Sequence, residues 1–263
     1  MEDGAWMVEK NILTVRILEG VERSKGCPLC YLWNDSEERY LKHVLTNEVV
    51  MDPGFREKLI AARGFCNRHA HMLYRAIYGG DAHDGLGYAL YMKDVVEKVL
   101  EDLSHLSTIL PSYPKPRRGR VLPRSRKRRI ATLRDAVEPK TRRQQCPICE
   151  HLWSMNQIYL HTLVQMLDDE EFREEFSSSR ELCLPHLLSA IQILYTGNLK
   201  NPASIAQALI NSEIKHLQSI QHLLSEFIRK QSWEFRDEPH GPEVNANHLT
   251  LHFLFGSEGL RLK

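Results

Sequence analysis

Along most of the chain, apolar residues recur at intervals of three and four, the spacing of helices that bury one face. Leu32, Tyr40, Leu41, Val44 and Leu45 share such a face, and Met92, Val95, Val96, Val99, Leu103, Leu106 and Leu110 trace a longer one. Asp52-Pro53 sets a capping carboxylate before a proline at the first helical position, so a short helix should run through Phe55, Leu59 and Ile60 and end at Gly64. Another helix is expected from about Cys66 through Leu73 and Ile77 to the Gly79-Gly80 break. Asn201-Pro202 should open a second long one through Leu209, Ile210, Leu217, Leu224, Phe227 and Ile228.

Two stretches depart from this period. Leu13, Val15 and Ile17 alternate with Thr14 and Arg16, in a segment short enough to be a helix start. Leu249, Leu251, Phe253 and Phe255 alternate with His248, Thr250 and His252. Alternation is strand periodicity. A lone strand leaves its backbone unpaired, so these segments are expected to pair with each other, as a small β pair, or with another chain.

The helical pattern is written twice. Shifting by 119 residues places Cys27, Cys30, Tyr40 and Leu41 on Cys146, Cys149, Tyr159 and Leu160. A shift of 117 places Asp52, Phe55, Arg56 and Glu57 on Asp169, Phe172, Arg173 and Glu174, and Cys66, His69, Tyr78 and Gly80 on Cys183, His186, Tyr195 and Gly197. Two copies are a duplication rather than a repeat array. The expected organisation is mainly α, with two tandem pseudo-symmetric helical modules: residues 1–110, a basic proline-containing linker over 111–145, a second module over 146–232, and an extension over 233–263 holding the second alternating segment.

All six cysteines fall in the repeated motifs. Each copy carries a Cys-x-x-Cys, Cys27/Cys30 and Cys146/Cys149, followed by a Cys-x-x-His, Cys66/His69 and Cys183/His186. Three-residue spacing lets both members of a pair reach one ion from a helix's first turn, and three thiolates with one imidazole make a closed tetrahedral zinc site. Pro28 and Pro147 suit a turn entering a helix, whose N-terminus favours thiolate. One site per copy is expected, holding two Zn2+ in all. Three alternatives stand beside this. An iron–sulfur cluster would use the same ligands. Thiol redox chemistry would use Cys-Pro-x-Cys, but no βαβ pattern surrounds it. Buried free cysteines have no reason to recur in these pairs. Haem attachment wants histidine after Cys-x-x-Cys, where Tyr31 and Glu150 stand.

A closed site offers no open coordination position, which argues against hydrolysis and for a non-enzymatic protein. His71 is matched by Leu188 in the second copy and reads as a solvated residue. The repeated Asp-x-x-Phe-Arg-Glu reads as helix cap, anchor and solvated side rather than as a catalytic acid pair. His248 and His252 share a face and could bind metal, although an exposed edge accounts for them as well.

With 42% hydrophobic and 26% charged residues, the composition is that of a soluble globular protein. No secretory signal or bilayer-length apolar run is visible, so a cytoplasmic location without membrane insertion is expected, where cysteines serve as ligands or redox groups. The formal net charge is +1, but it is unevenly spread. Lys115 to Arg143 holds 13 of the 35 basic residues and only Asp135 and Glu138 of the 34 acidic ones. Within it Arg117, Arg118, Arg120, Arg124, Arg126, Lys127, Arg128 and Arg129 suit phosphate backbones and mark RNA or DNA as a candidate partner, RNA slightly preferred. No aromatic residue is interleaved for base stacking. The alternatives are a basic linker that folds back on an acidic body and a zinc-stabilised scaffold for another protein.

Cys27-Pro-x-Cys30, Asp52-x-x-Phe55-Arg56-Glu57, Gly64-Phe65-Cys66-x-x-His69, Cys146-x-x-Cys149 and Leu182-Cys183-Leu184-Pro185-His186 resemble a family of bacterial and archaeal proteins of unknown function. The likeness covers roughly residues 10 to 230 and implies the duplicated cysteine and histidine pairs. It implies no activity. Glu181-Leu182 replaces the family's Gly-Phe before the second Cys-x-x-His, so the resemblance carries over the ligands there but not the local turn.

Overall fold

In the computed structural model, both segments whose alternation suggested strands are helices. The described residues are 11–79, 85–109, 146–197, 199–235 and 237–260. No strand occurs among them, and 79% of them are helical. The basic linker and its eight candidate phosphate-binding residues lie outside this set.

Helix α1 (Ile12–Arg23) starts where the Asn11 side chain accepts hydrogen bonds from the Leu13 and Thr14 amides, at 2.9 and 3.0 Å, while the Asn11 amide donates to Thr14 Oγ1 at 2.9 Å. This capping box satisfies amide groups that a helix start leaves bare. Thr14, Ile17 and Gly20 are buried at helical spacing and Val15 is exposed, so the alternation of Leu13, Val15 and Ile17 was incidental. At the other end, a 3-10 turn (Pro242–Asn245) leads into the last helix, Ala246–Phe255, which stops at Gly256. Ala246 and Phe253, two turns apart, are buried, whereas Leu251 and Phe255 point outward.

Between these ends run α2 (Pro28–Val44), α3 (Asn47–Val50), α4 (Pro53–Ala61), α5 (Asn67–Tyr78), α6 (Leu86–Ile109), α7 (Pro147–Met166), α8 (Glu170–Ser179), α9 (Leu184–Thr196) and α10 (Pro202–Arg229), so the last helix is α11. The two halves match element for element where the sequence repeats. Asp52 caps α4 through the Gly54 and Phe55 amides at 3.0 and 3.2 Å, and Asp169 caps α8 through the Phe172 amide at 2.9 Å. Phe55 and Phe172 are buried, as an anchoring role requires. Arg56, expected on the solvated side, instead forks onto Asp94 of α6 at 2.7 and 2.8 Å.

The compact units of the chain are not the tandem halves. One comprises the residues up to Ser36 together with those from Leu152 onward; the other is Glu37–His151. The divisions fall inside α2 and α7. In the first unit, Ile17, Leu29 and Leu32 of the N-terminal helices bury against Leu160, Leu163, Phe176, Leu194 and Leu209 of the second half. Each such side chain contributes about 1.5–3 kcal/mol by leaving water. In the second unit the rings of Phe55, Phe65 and Tyr91 lie 5.5 to 6.4 Å apart, and the Tyr91 hydroxyl donates to the Val44 carbonyl at 2.9 Å. No helix among the described residues is long and apolar enough to cross a membrane.

Candidate metal centres

All four ligand pairs sit at helix N-termini. Cys27 and Cys146 immediately precede α2 and α7, with Cys30 and Cys149 in the first turn. Cys66 and Cys183 are the N-caps of α5 and α9, with nearly identical backbone angles, φ −65°, ψ 161° and φ −64°, ψ 153°; His69 and His186 lie one turn on. The macrodipole at each start favours a thiolate.

The pairs converge into two clusters, but not one per copy. Cys27, Cys30, Cys183 and His186 form cluster A, within the first unit. Cys66, His69, Cys146 and Cys149 form cluster B, within the second. Each combines the Cys-x-x-Cys of one copy with the Cys-x-x-His of the other, which corrects the expectation of one site per copy. Ligand spacing within a pair is a local property that sequence reveals. Which two pairs meet depends on how the helices carrying them pack.

In each cluster all four ligand atoms lie within 4.8 Å of one another. Cys30 and Cys183 sulfurs are 3.5 Å apart and those of Cys66 and Cys149 3.7 Å. His186 Nδ1 is 3.4, 3.6 and 3.1 Å from the sulfurs of Cys27, Cys30 and Cys183. His69 Nδ1 is 3.3, 3.5 and 3.4 Å from those of Cys66, Cys146 and Cys149. A tetrahedron with zinc's bond lengths has edges of about 3.8 Å between sulfurs and about 3.6 Å from sulfur to nitrogen. Each cluster therefore has the dimensions to hold one ion.

The thiols respond to this crowding in opposite directions. In cluster A, hydrogen bonds from Cys183 and Cys27 hold Cys30 far below the ordinary thiol range, while burial pushes Cys27 well above it. In cluster B, hydrogen bonds from Cys146 and Cys149 lower Cys66, and those with Cys146 and Cys66 raise Cys149. Thiolates packed this closely repel one another, and a cation among them removes that conflict.

The far side of each imidazole is also held. His69 Nε2–H donates to Glu37 Oε1 at 3.0 Å, and Arg68 grips the same carboxylate through Nε at 3.0 Å and Nη2 at 2.7 Å. His186 Nε2–H donates to Asn156 Oδ1 at 3.1 Å. Fixing Nε2 as the protonated nitrogen turns Nδ1 toward the sulfurs. Burial alone would lower the His69 pKa, but the Cys146 and Cys66 sulfurs and Glu37 overcome it and push it up to about 11. Burial would raise the Glu37 carboxyl, yet His69 and Arg68 hold it below the usual range.

The eight cysteine and histidine residues paired in the sequence all lie in the two clusters, whereas Glu37 and Asn156 were not anticipated. Their signal was present: each lies ten residues after the first cysteine of its copy. His71 is exposed and outside both clusters. Glu57 and Glu174 join neither cluster, and the capping role of Asp52 and Asp169 accounts for the repeated acidic motif.

The turns leading to the two Cys-x-x-His pairs differ. Before Cys66, Arg63 and Gly64 take positive φ of 60° and 106°. Before Cys183 there is no such turn; Arg180 is extended and the Leu182 amide donates to the buried Glu213 carboxylate. Gly256, at φ 73° after α11, closes over cluster A, where a Cβ would lie 3.3 Å from Cys183 Sγ and 3.4 Å from Cys30 Sγ.

No curated protein and no solved structure matches this chain. A family model does match, over residues 7–258, and the chain therefore belongs to the family of unknown function DUF6062.

Proposed function

We propose that this is a non-enzymatic zinc protein, in which two Zn2+ ions bound by Cys27, Cys30, Cys183 and His186 and by Cys66, His69, Cys146 and Cys149 hold duplicated helical modules together. The observation that carries this reading is the size of the clusters. All four donor atoms of each cluster lie within 4.8 Å of one another, with sulfur-to-nitrogen separations of 3.1 to 3.6 Å, dimensions that suit a single tetrahedral ion. A multi-iron cluster places its ligands on separate irons and needs them further apart. With four protein ligands per ion and both imidazoles anchored, no coordination position is left for substrate. Elemental analysis of anaerobically purified protein tests this: two zinc equivalents in a colourless protein are expected, with loss of helicity on chelation. A brown, iron-containing protein would overturn it in favour of iron–sulfur or redox function.

The charge of the linker supports a second element of the reading, a cytoplasmic protein that binds RNA, or DNA, through Arg117, Arg118, Arg120, Arg124, Arg126, Lys127, Arg128 and Arg129. Affinity for a single-stranded RNA should fall steeply with salt, and neutralising Arg126 to Arg129 should weaken binding and flatten that slope. No RNA or DNA binding by the zinc-loaded protein would leave the scaffold reading, with another protein as partner.

A further inference from the structure

Residues 242–255 follow α10 and add to the second half a wall of helix that packs against α9 and α10. With Ser24–Cys27, Cys30, Tyr31 and Asn34 they line a half-open cavity of about 480 Å³. Cys27, Cys30 and Cys183 of cluster A line it, and so do three histidines that belong to neither cluster, His216, His248 and His252. His216 is engaged, 3.6 Å from Glu181 and packed against the Phe253 ring. His248 and His252 are different. They stand one turn apart on α11, exposed, with ring centroids 4.3 Å apart.

Two imidazoles at i and i+4 on one helical face converge on a common point and chelate metal, as in the zinc-binding helices of metalloproteases. We propose that His248 and His252 form a third metal site at this cavity, taking a borderline divalent ion such as Zn2+, Ni2+ or Co2+. The donor set decides the class: imidazole without thiolate suits these ions and excludes the hard Mg2+ and Ca2+. Only two protein ligands hold the ion, so its remaining positions face the cavity and are open to water or a small ligand. Because both rings are exposed, binding requires little desolvation and the ion exchanges readily. This distinguishes the site from the two four-ligand clusters and leaves the ion free to meet a further ligand.

The test uses the full-length, untagged chain, whose zinc content is first measured by elemental analysis. Calorimetric titration with Ni2+ should show one further equivalent, and H248A/H252A should lose it with zinc content unchanged. Uptake of no Ni2+ by the wild type, or the same uptake by the double variant, overturns the proposal. Ni2+ entering the clusters produces thiolate charge-transfer absorption, whereas the imidazole site produces none. A failure of the zinc clusters is therefore read separately from a failure of this site.

Discussion

Clusters A and B have the same ligand types, the same helix-start geometry and the same tight edges, yet they are supported differently. His69 of cluster B leans on a carboxylate that Arg68 clamps with two further hydrogen bonds. His186 of cluster A leans on the neutral amide of Asn156, whose Nδ2 is buried without a partner among the described residues. Cluster A also borders the 480 Å³ cavity. A carboxylate raises the basicity of an imidazole ligand more than an amide does, and solvent access speeds ligand exchange. With a metal ion in each, cluster B would be the firmer clip and cluster A the more labile one.

The largest effect tests the exchanged pairing on which this comparison rests. Removing Cys27, Cys30, Cys66 and His69 together strips two ligands from each cluster, so C27A/C30A/C66A/H69A should retain no zinc. Removing Cys27, Cys30, Cys183 and His186 should leave one equivalent, in cluster B. If each copy held its own ion, the two variants would give the opposite results, and elemental analysis tells them apart.

Next in size is the support of the imidazoles. Glu37→Gln should weaken cluster B by about 10–100-fold, the range for losing such a partner of a metal-bound histidine, while cluster A is unchanged. Asn156→Asp should move cluster A in the opposite direction. Competition with a chromogenic zinc chelator reads both, and wild-type protein should release cluster A first. Equal release rates, unaffected by either variant, would erase the distinction.

A smaller effect is expected at Gly256. Its φ of 73° and ψ of −163° are open essentially to glycine alone, and a Cβ there would meet Leu260 Cδ2 before reaching the sulfurs of Cys183 and Cys30. Gly256→Ala should cost about 1–3 kcal/mol in chemical denaturation and speed zinc loss from cluster A only.

These contrasts mark where the sequence was informative. The helices through Leu59, Leu73 and Leu209 were legible because caps such as Asp52 and apolar spacing agree locally. The eight cluster residues were legible because motif spacing reflects what one helix turn can present. The alternation of Leu249, Leu251, Phe253 and Phe255 misled because a ten-residue helix with only Ala246 and Phe253 buried imposes almost no pattern on the rest. In α1 the Asn11-x-x-Thr14 capping box was the better guide. The exchange of ligand pairs was illegible because it arises from packing between residues far apart in the chain, 77 to 83 positions in cluster B and more than 150 in cluster A.

Glu213 provides the last contrast, between the turns that deliver the two Cys-x-x-His pairs. Where the first copy uses the positive-φ turn at Arg63 and Gly64, the second anchors the Leu182 amide on this buried carboxylate. Burial pushes the Glu213 pKa up to about 7, against the Leu182 hydrogen bond, which lowers it. A folded-state pKa above the unfolded value of 4.5 means that the native state binds the proton more tightly. That stabilisation is fully present below the unfolded value and disappears as pH rises through about 7, where the native protein must bury a charge. Glu213→Gln keeps an acceptor for Leu182 and cannot ionise. Relative to wild type it should therefore gain stability steadily from about pH 4.5 to about pH 7 and hold a constant advantage above that. Comparing the two proteins at each pH cancels the loss of metal that acid causes in both. Denaturation midpoints that shift in parallel across this range would show that Glu213 is already charged in the fold, and that the second turn rests on an ionic anchor rather than a protonated one.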